Sequence, residues 1–293
     1  KTTTHENLSL RFMELMNQEF GGELTLAIEI FKNQYPKKFL HQLVSSQLDM
    51  DRLDYLKRDS FFTGVTEGVI GSDRIIKMLN VCNDQLVVDE KGIYSIEKFL
   101  IARRLMYWQV YLHRTVIASE QLLVMMLKRA EALSAQGVEL FSTPALAYFL
   151  QPGREVSLEQ FALLDDYDIL ASAKSWCNHS DPVLSMLSDG LVNRKLLGVE
   201  LADDPFQPGR IEKLRKQVAS SLSISVEEAE YLVVSDSVSN FAYSDMDDRI
   251  SIMDKNGNIR DIAKASDMLN IAVLSKTVRK YFLCYPRIIK EMN

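Results

Sequence analysis

Residues 45–64 read SSQLDMDRLDYLKRDSFFTG, four aspartates and two arginines set around one tyrosine. At 100° per residue, Asp51, Tyr55, Arg58 and Asp59 fall within about a third of a turn of one another, so a helix would point them the same way. Leu53 and Leu56 occupy the opposite side, and Asp54 with Arg58 makes an ordinary i,i+4 pair. By composition alone this is equally a solvated face of an amphipathic helix. The chemical alternative is a carboxylate for a divalent metal, flanked by Arg and Tyr donors that hold phosphate oxygens.

Outward from this stretch the chain reads as helical. Residues 95–135 contain neither Gly nor Pro and repeat apolar side chains at three- and four-residue spacing, which predicts one long central helix. Residues 6–20, 37–60 and 72–80 also read as helices, and QLVVDEKGIYSI contains a hairpin signal. After QPGREVS at 151 the helical pattern resumes. From about 215 alternation sets in, with DKNGN as a hairpin turn before more helix. The expectation is a mainly α protein with strands concentrated after about residue 225. Its parts would be a helical domain over 1–150, a helical extension over 151–215 and a small α+β subdomain over 216–293.

The 293 residues carry a net charge of −6, which weighs against a general nucleic-acid coat while leaving room for a local basic pocket. Cys82, Cys177 and Cys284 form no CxxC pair, so neither a disulfide framework nor a zinc knuckle is indicated, and a reducing cytoplasm fits best. No apolar run approaches the roughly 18 residues of a membrane span. The first residues, KTTTHENLSL, lack Met and open at the approach to a helix, which reads as a chain whose upstream part is absent.

LDMDRLDYLKRDSFFTGV resembles the last metal-binding motif of the HD-domain phosphohydrolases. The likeness is closest to the deoxynucleoside triphosphate triphosphohydrolase branch that includes the SAM-and-HD-domain enzymes. Every fixed position of D-x-D-[KR]-x-D-Y-x-x-R-D is filled. THEN resembles the family's His-Glu motif, and FLIARRLMYWQVYLHRT resembles the helix whose arginine grips a triphosphate, with the register selecting Arg103 over Arg104. Leu112 stands where the family has glutamine.

The resemblance implies an HD-like helical core, a divalent metal ion (Mg, Mn, Fe, Ni or Zn) and metal-assisted hydrolysis of a dNTP to deoxynucleoside and triphosphate. It implies Asp51 as metal ligand, and Arg52, Tyr55 and Arg103 on the phosphates. Asp59 would face a sugar hydroxyl or an arginine, and His5 would protonate the leaving 5′ oxygen. It further implies a homo-oligomer with a nucleotide partner. Taken singly, His5 is equally a surface or capping residue and Arg103 a helix-surface charge, while Tyr107 and Tyr111 are core aromatics or a pocket wall. His41, His113 and His179 read as structural.

The chain has no His-Asp pair, so only Asp51 is recognisable as a ligand, and the expectation is a chain inactive by itself. The other readings are an HD phosphohydrolase for another nucleotide phosphoester, or a non-catalytic nucleotide-binding regulatory protein.

Overall fold

The structure is a computed structural model and describes residues 4–240, 249–267 and 278–289. Seven strands occur among them: β1 (Leu79–Cys82), β2 (Gln85–Asp89), β3 (Gly198–Ala202), β4 (Val234–Asn240), β5 (Ser251–Met253), β6 (Ile259–Asp261) and β7 (Val278–Tyr285). The rest is predominantly helical, and no described helix is long and apolar enough to cross a membrane. By contacts the chain divides into two units, residues 1–111 with 239–278 and residues 112–238 with 279–293.

In the first unit, α1 (His5–Glu19), α2 (Thr25–Phe31), α3 (Lys38–Val44), α4 (Met50–Thr63), α5 (Ser72–Met78) and α6 (Ile93–Met106) accompany a sheet of order β1-β2-β5-β6. β1 and β2 form an antiparallel hairpin one strand earlier than expected: QLVVD is its second strand, and the IYSI that should have paired with it opens α6. β5 joins β2 in parallel with Val88 opposite Ile252. β5 and β6 flank the DKNGN turn, where Asp254 Oδ1 accepts the N–H groups of Asn256 and Asn258. Leu53 and Leu56 of α4 and Ile96, Phe99, Leu100 and Met106 of α6 form the core with Ile75, Ile250 and Ile252.

The second unit contains α7 (Arg114–Ala135), α8 (Pro144–Leu150), α9 (Leu158–Leu163), α10 (Asp166–Trp176), α11 (Pro182–Val192), α12 (Pro208–Leu222) and α13 (Val226–Ala229), with a sheet of order β3-β7-β4. Its core gathers Leu122 and Met126 of α7, Trp176 of α10 and Leu184 and Leu187 of α11. The N–H of the Trp176 indole donates to the Phe141 carbonyl at 2.9 Å, so this large buried side chain leaves no polar atom unpaired.

Several expectations change. The long helix over 95–135 is two: α6 passes into a π-type turn at Tyr107–Tyr111, and α7 restarts behind His113. His113 has extended backbone and its ring nitrogen accepts the Thr115 N–H at 3.2 Å, a cap that apolar spacing does not reveal. The helix expected over 37–60 breaks at 45–49, where Ser46 and Asp49 offer the backbone side-chain partners that compete with helix. Strands also occur before residue 225, and among the described residues those after it join sheets begun earlier in the chain. β5 and β6 extend the β1-β2 sheet, whereas β4 and β7 join β3. The contact units thus cut across boundaries at 150 and 215, because strand pairing brings distant stretches together and local pattern cannot. The helix expected beyond the DKNGN hairpin shows one turn at Ile262–Ala265, and residues 268–277 lie outside the described part.

Candidate active site

Helix α4 is built to present one face. Asp49 caps it, accepting the N–H of Arg52 at 2.8 Å, and Gly64 ends it in the left-handed region at φ 71°. Leu53, Leu56 and Ser60 are buried beneath it. Asp51, Arg52, Tyr55 and Asp59 line a cavity of about 750 Å³, a volume in the small-molecule range. Arg58 is not among the lining residues. It pairs with Asp54 at 2.8 Å on the exposed side, as the i,i+4 spacing indicated.

The facing walls come from α1 with His5, from α3 with His41, and from the π-type turn with Tyr107 and Tyr111. Such a turn adds a residue to one coil of a helix and is frequent at functional sites. Here it brings two tyrosines four apart to one cavity, with Tyr107 and Tyr111 edge to face at 5.2 Å. Tyr111 also meets Tyr55 edge to face at 6.0 Å. Its hydroxyl donates to Asp59 Oδ2 at 2.7 Å. Burial, then the bond to Asp59 and the charge on Asp59, push the Tyr111 hydroxyl well above the ordinary phenol range. Burial and the neighbouring Tyr107 push Tyr55 up to about 12, against the opposing charges of Arg103 and Arg52. Both phenols are therefore neutral donors at physiological pH.

Arg52 is held in place. Its Nη1 pairs with the Asp49 carboxylate and donates to the Ser46 carbonyl at 2.5 Å, while Asp49 itself is only 2% exposed. Asp49, overlooked in the motif, is thus the residue that orients Arg52, and the Ser-Ser-x-x-Asp lead into α4 was its available signal. Arg103 is 5% exposed, and its Nε and Nη1 have no hydrogen-bond partner among the described residues. It does not line the cavity itself, although it is near enough to Tyr55 for its charge to act there. His5 lines the cavity with a side chain 88% exposed, 3.1 Å from Glu6.

Among the described residues no three His, Cys, Asp or Glu side chains converge as a metal site. Asp51 therefore stands without co-ligands, and these residues by themselves do not fit a tightly held divalent ion.

Comparison with known proteins defines the class. Residues 70–282 match the family described as the HD associated region, and the chain belongs to that family. The matched residues include Arg103, Tyr107 and Tyr111 and begin after α4. A crystal structure of a phosphohydrolase from Bacteroides thetaiotaomicron superposes with a TM-score of 0.92 at 55% identity, covering 97% of this chain and 73% of that one.

The Bacillus subtilis protein YwfO is 30% identical over 267 residues, 88% of this chain, and the chain spans 60% of YwfO's length. A Dictyostelium discoideum deoxynucleoside triphosphate triphosphohydrolase SAMHD1 homolog is 24% identical over 122 residues, 38% of this chain and 24% of that one. Together these support membership of an HD-domain phosphohydrolase family.

Proposed function

We propose that this chain is the part of an HD-type phosphohydrolase that holds the nucleotide, and that the substrate is a deoxynucleoside triphosphate cleaved to deoxynucleoside and triphosphate. The observation that carries the reading is the α4 face: a carboxylate, an oriented arginine and two further polar groups line one cavity with a histidine from α1.

In this reading water adds to the α-phosphorus as the bond from phosphorus to the 5′ oxygen breaks. His5 gives its proton to that oxygen, and triphosphate leaves as one piece. Arg52, fixed by Asp49, and Arg103, buried with unmet donors, counter the charge that builds on phosphate oxygens. The Tyr55 hydroxyl donates to the same oxygens. Asp59, with Oδ2 occupied by Tyr111, offers Oδ1 to a sugar hydroxyl. A divalent ion enters this reading through Asp51 alone, and the residues present do not complete its donor set.

The test is a product assay on the intact protein with each dNTP and a divalent metal. Deoxynucleoside and inorganic triphosphate are the expected products. Pyrophosphate, orthophosphate or no turnover overturns the dNTP reading. Residues 1–293 alone should bind Mn²⁺ weakly and turn over nothing, and full activity from them would require an unrecognised metal site.

A further inference from the structure

His41 is the second imidazole of the cavity, and its surroundings set it apart from a core histidine. Helix α3 is seven residues long, too short to persist unaided, and none of its residues is fully buried. It is held by polar ties to the β1-β2 hairpin. The Phe39 N–H donates to the Asp84 carbonyl at 2.9 Å, the Leu86 N–H donates to Gln42 Oε1 at 2.8 Å, and Gln42 Nε2 donates to Gln85 Oε1 at 3.1 Å. Those ties fix the ring against α2, where Nδ1 lies 3.0 Å from the Ile30 carbonyl. A carbonyl only accepts, so Nδ1 carries the proton in that contact. Nε2 has no hydrogen-bond partner among the described residues, while the side chain lines the same cavity as Arg52 and Asp51.

One ring edge is thus consumed in positioning and the other is left for a ligand. The anchor to Ile30 is the same whether Nε2 is bare or protonated, so the ring can serve a charged ligand without disturbing the fold. We infer that His41 is a further substrate-binding residue of this cavity: with Nδ1–H held by the Ile30 carbonyl, the ring binds as the imidazolium and donates from Nε2–H to a phosphate oxygen of the bound nucleotide. The inference rests on the nucleotide reading of the cavity, and its test is separable from that reading.

An Asn side chain places an amide near the position of Nδ1, and a Gln side chain places one near Nε2. In the intact protein His41→Asn should keep the Ile30 bond and the melting temperature, yet weaken binding of inorganic triphosphate and raise KM for dNTP by on the order of tenfold or more. His41→Gln should lose the Ile30 bond and some thermal stability, yet keep most of the triphosphate affinity. Inorganic triphosphate is the probe in both cases, measured by calorimetry, so a failure to hydrolyse dNTPs sinks the reaction reading without touching this comparison. The inference is overturned if His41→Asn binds triphosphate and turns over as the wild type does, if both variants lose affinity only in step with stability, or if the wild-type protein binds no triphosphate.

Discussion

Arg103 poses the sharpest question at the scale of single residues. A guanidinium that is 5% exposed, with Nε and Nη1 unpartnered among the described residues, carries a desolvation cost that an apolar side chain would not. Replacement by Met should therefore leave the melting temperature unchanged or higher. If the proposed hydrolysis holds, it should also reduce kcat/KM of the intact protein by an amount equivalent to about 2–4 kcal/mol. A lower melting temperature with unchanged kinetics would return Arg103 to a structural role. Asp51 gives the converse case, being exposed on α4. Asp51→Ala should abolish turnover with no change in denaturant midpoint, and retained activity would void the motif assignment.

The buried phenols and thiol add a pH dependence. Burial first of all, with Tyr107 beside it, raises Tyr55 to about 12 from 10, and burial raises Cys284 to about 12 from 9. Each group favours its protonated form in the fold, so the folded state holds more protons than the unfolded chain between these limits. The stability they contribute is fully present below about pH 9 and is lost as pH rises toward 12. The denaturant midpoint should fall across that window, less steeply in Tyr55→Phe. That Asp51, Tyr55 and Asp59 share a face was legible because a helix repeats every 3.6 residues, although the same spacing also selected Arg58, which stays outside the cavity. Arg52 and His5 rested on the resemblance of LDMDRLDYLKRD and THEN. Asp49's grip on Arg52 and the Asp59–Tyr111 bond were not legible, since the first depends on where the helix begins and the second joins residues 52 apart.

At the scale of elements, the end of β2 and the start of α6 are pinned by a contact with no sequence signature. Gly92 precedes α6, and a Cβ built there would meet Met78 Cβ and Val88 Cγ1 at 2.8 Å each. Neither atom is the free end of a flexible side chain, so Gly92→Ala has to displace α5 or β2. It should cost about 1–3 kcal/mol in urea unfolding, whereas Gly209→Ala, with nothing within 4 Å, should cost far less. Helix periodicity and the DKNGN turn follow from residues a few positions apart, which explains why most helices were readable, whereas the β1-β2 turn at Asn83 and Asp84 was expected one strand too late. The break after Met106 was not readable. Residues 95–135 carry no Gly or Pro, and the helix there yields to a histidine cap and to tertiary packing of Tyr107 and Tyr111.

Over the whole molecule, the second unit shows what local reading cannot reach. Arg129 of α7 pairs with Asp181, the cap of α11, and with Glu228 of α13 at 2.8 Å, and its guanidinium lies 5.3 Å from the centre of the Tyr231 ring. Partners 52 and 99 residues away tie three helices through one buried charge, and nothing in composition marks Arg129 out from other helix arginines. Burial pushes the Asp181 carboxyl up, but the bond and charge of Arg129 and the Leu184 N–H prevail and hold it below its usual range.

Asp181→Ala removes the α11 cap and leaves Arg129 half-compensated, so it should cost about 3–5 kcal/mol at neutral pH. Arg129→Met with Asp181→Ala together should cost less than the two changes summed, because neither charge is then left stranded. The depressed carboxyl also gives a sign to the pH test. Its stability is present above the unfolded value of about 4 and fades as pH falls through the lower folded value, where the unfolded chain takes up the proton first. The gap between wild type and Asp181→Ala in urea midpoint should therefore narrow as pH drops below about 4. A gap that stays constant would mean that the charge on Asp181 carries none of the loss, whether through Arg129 or through the cap bond to the Leu184 N–H.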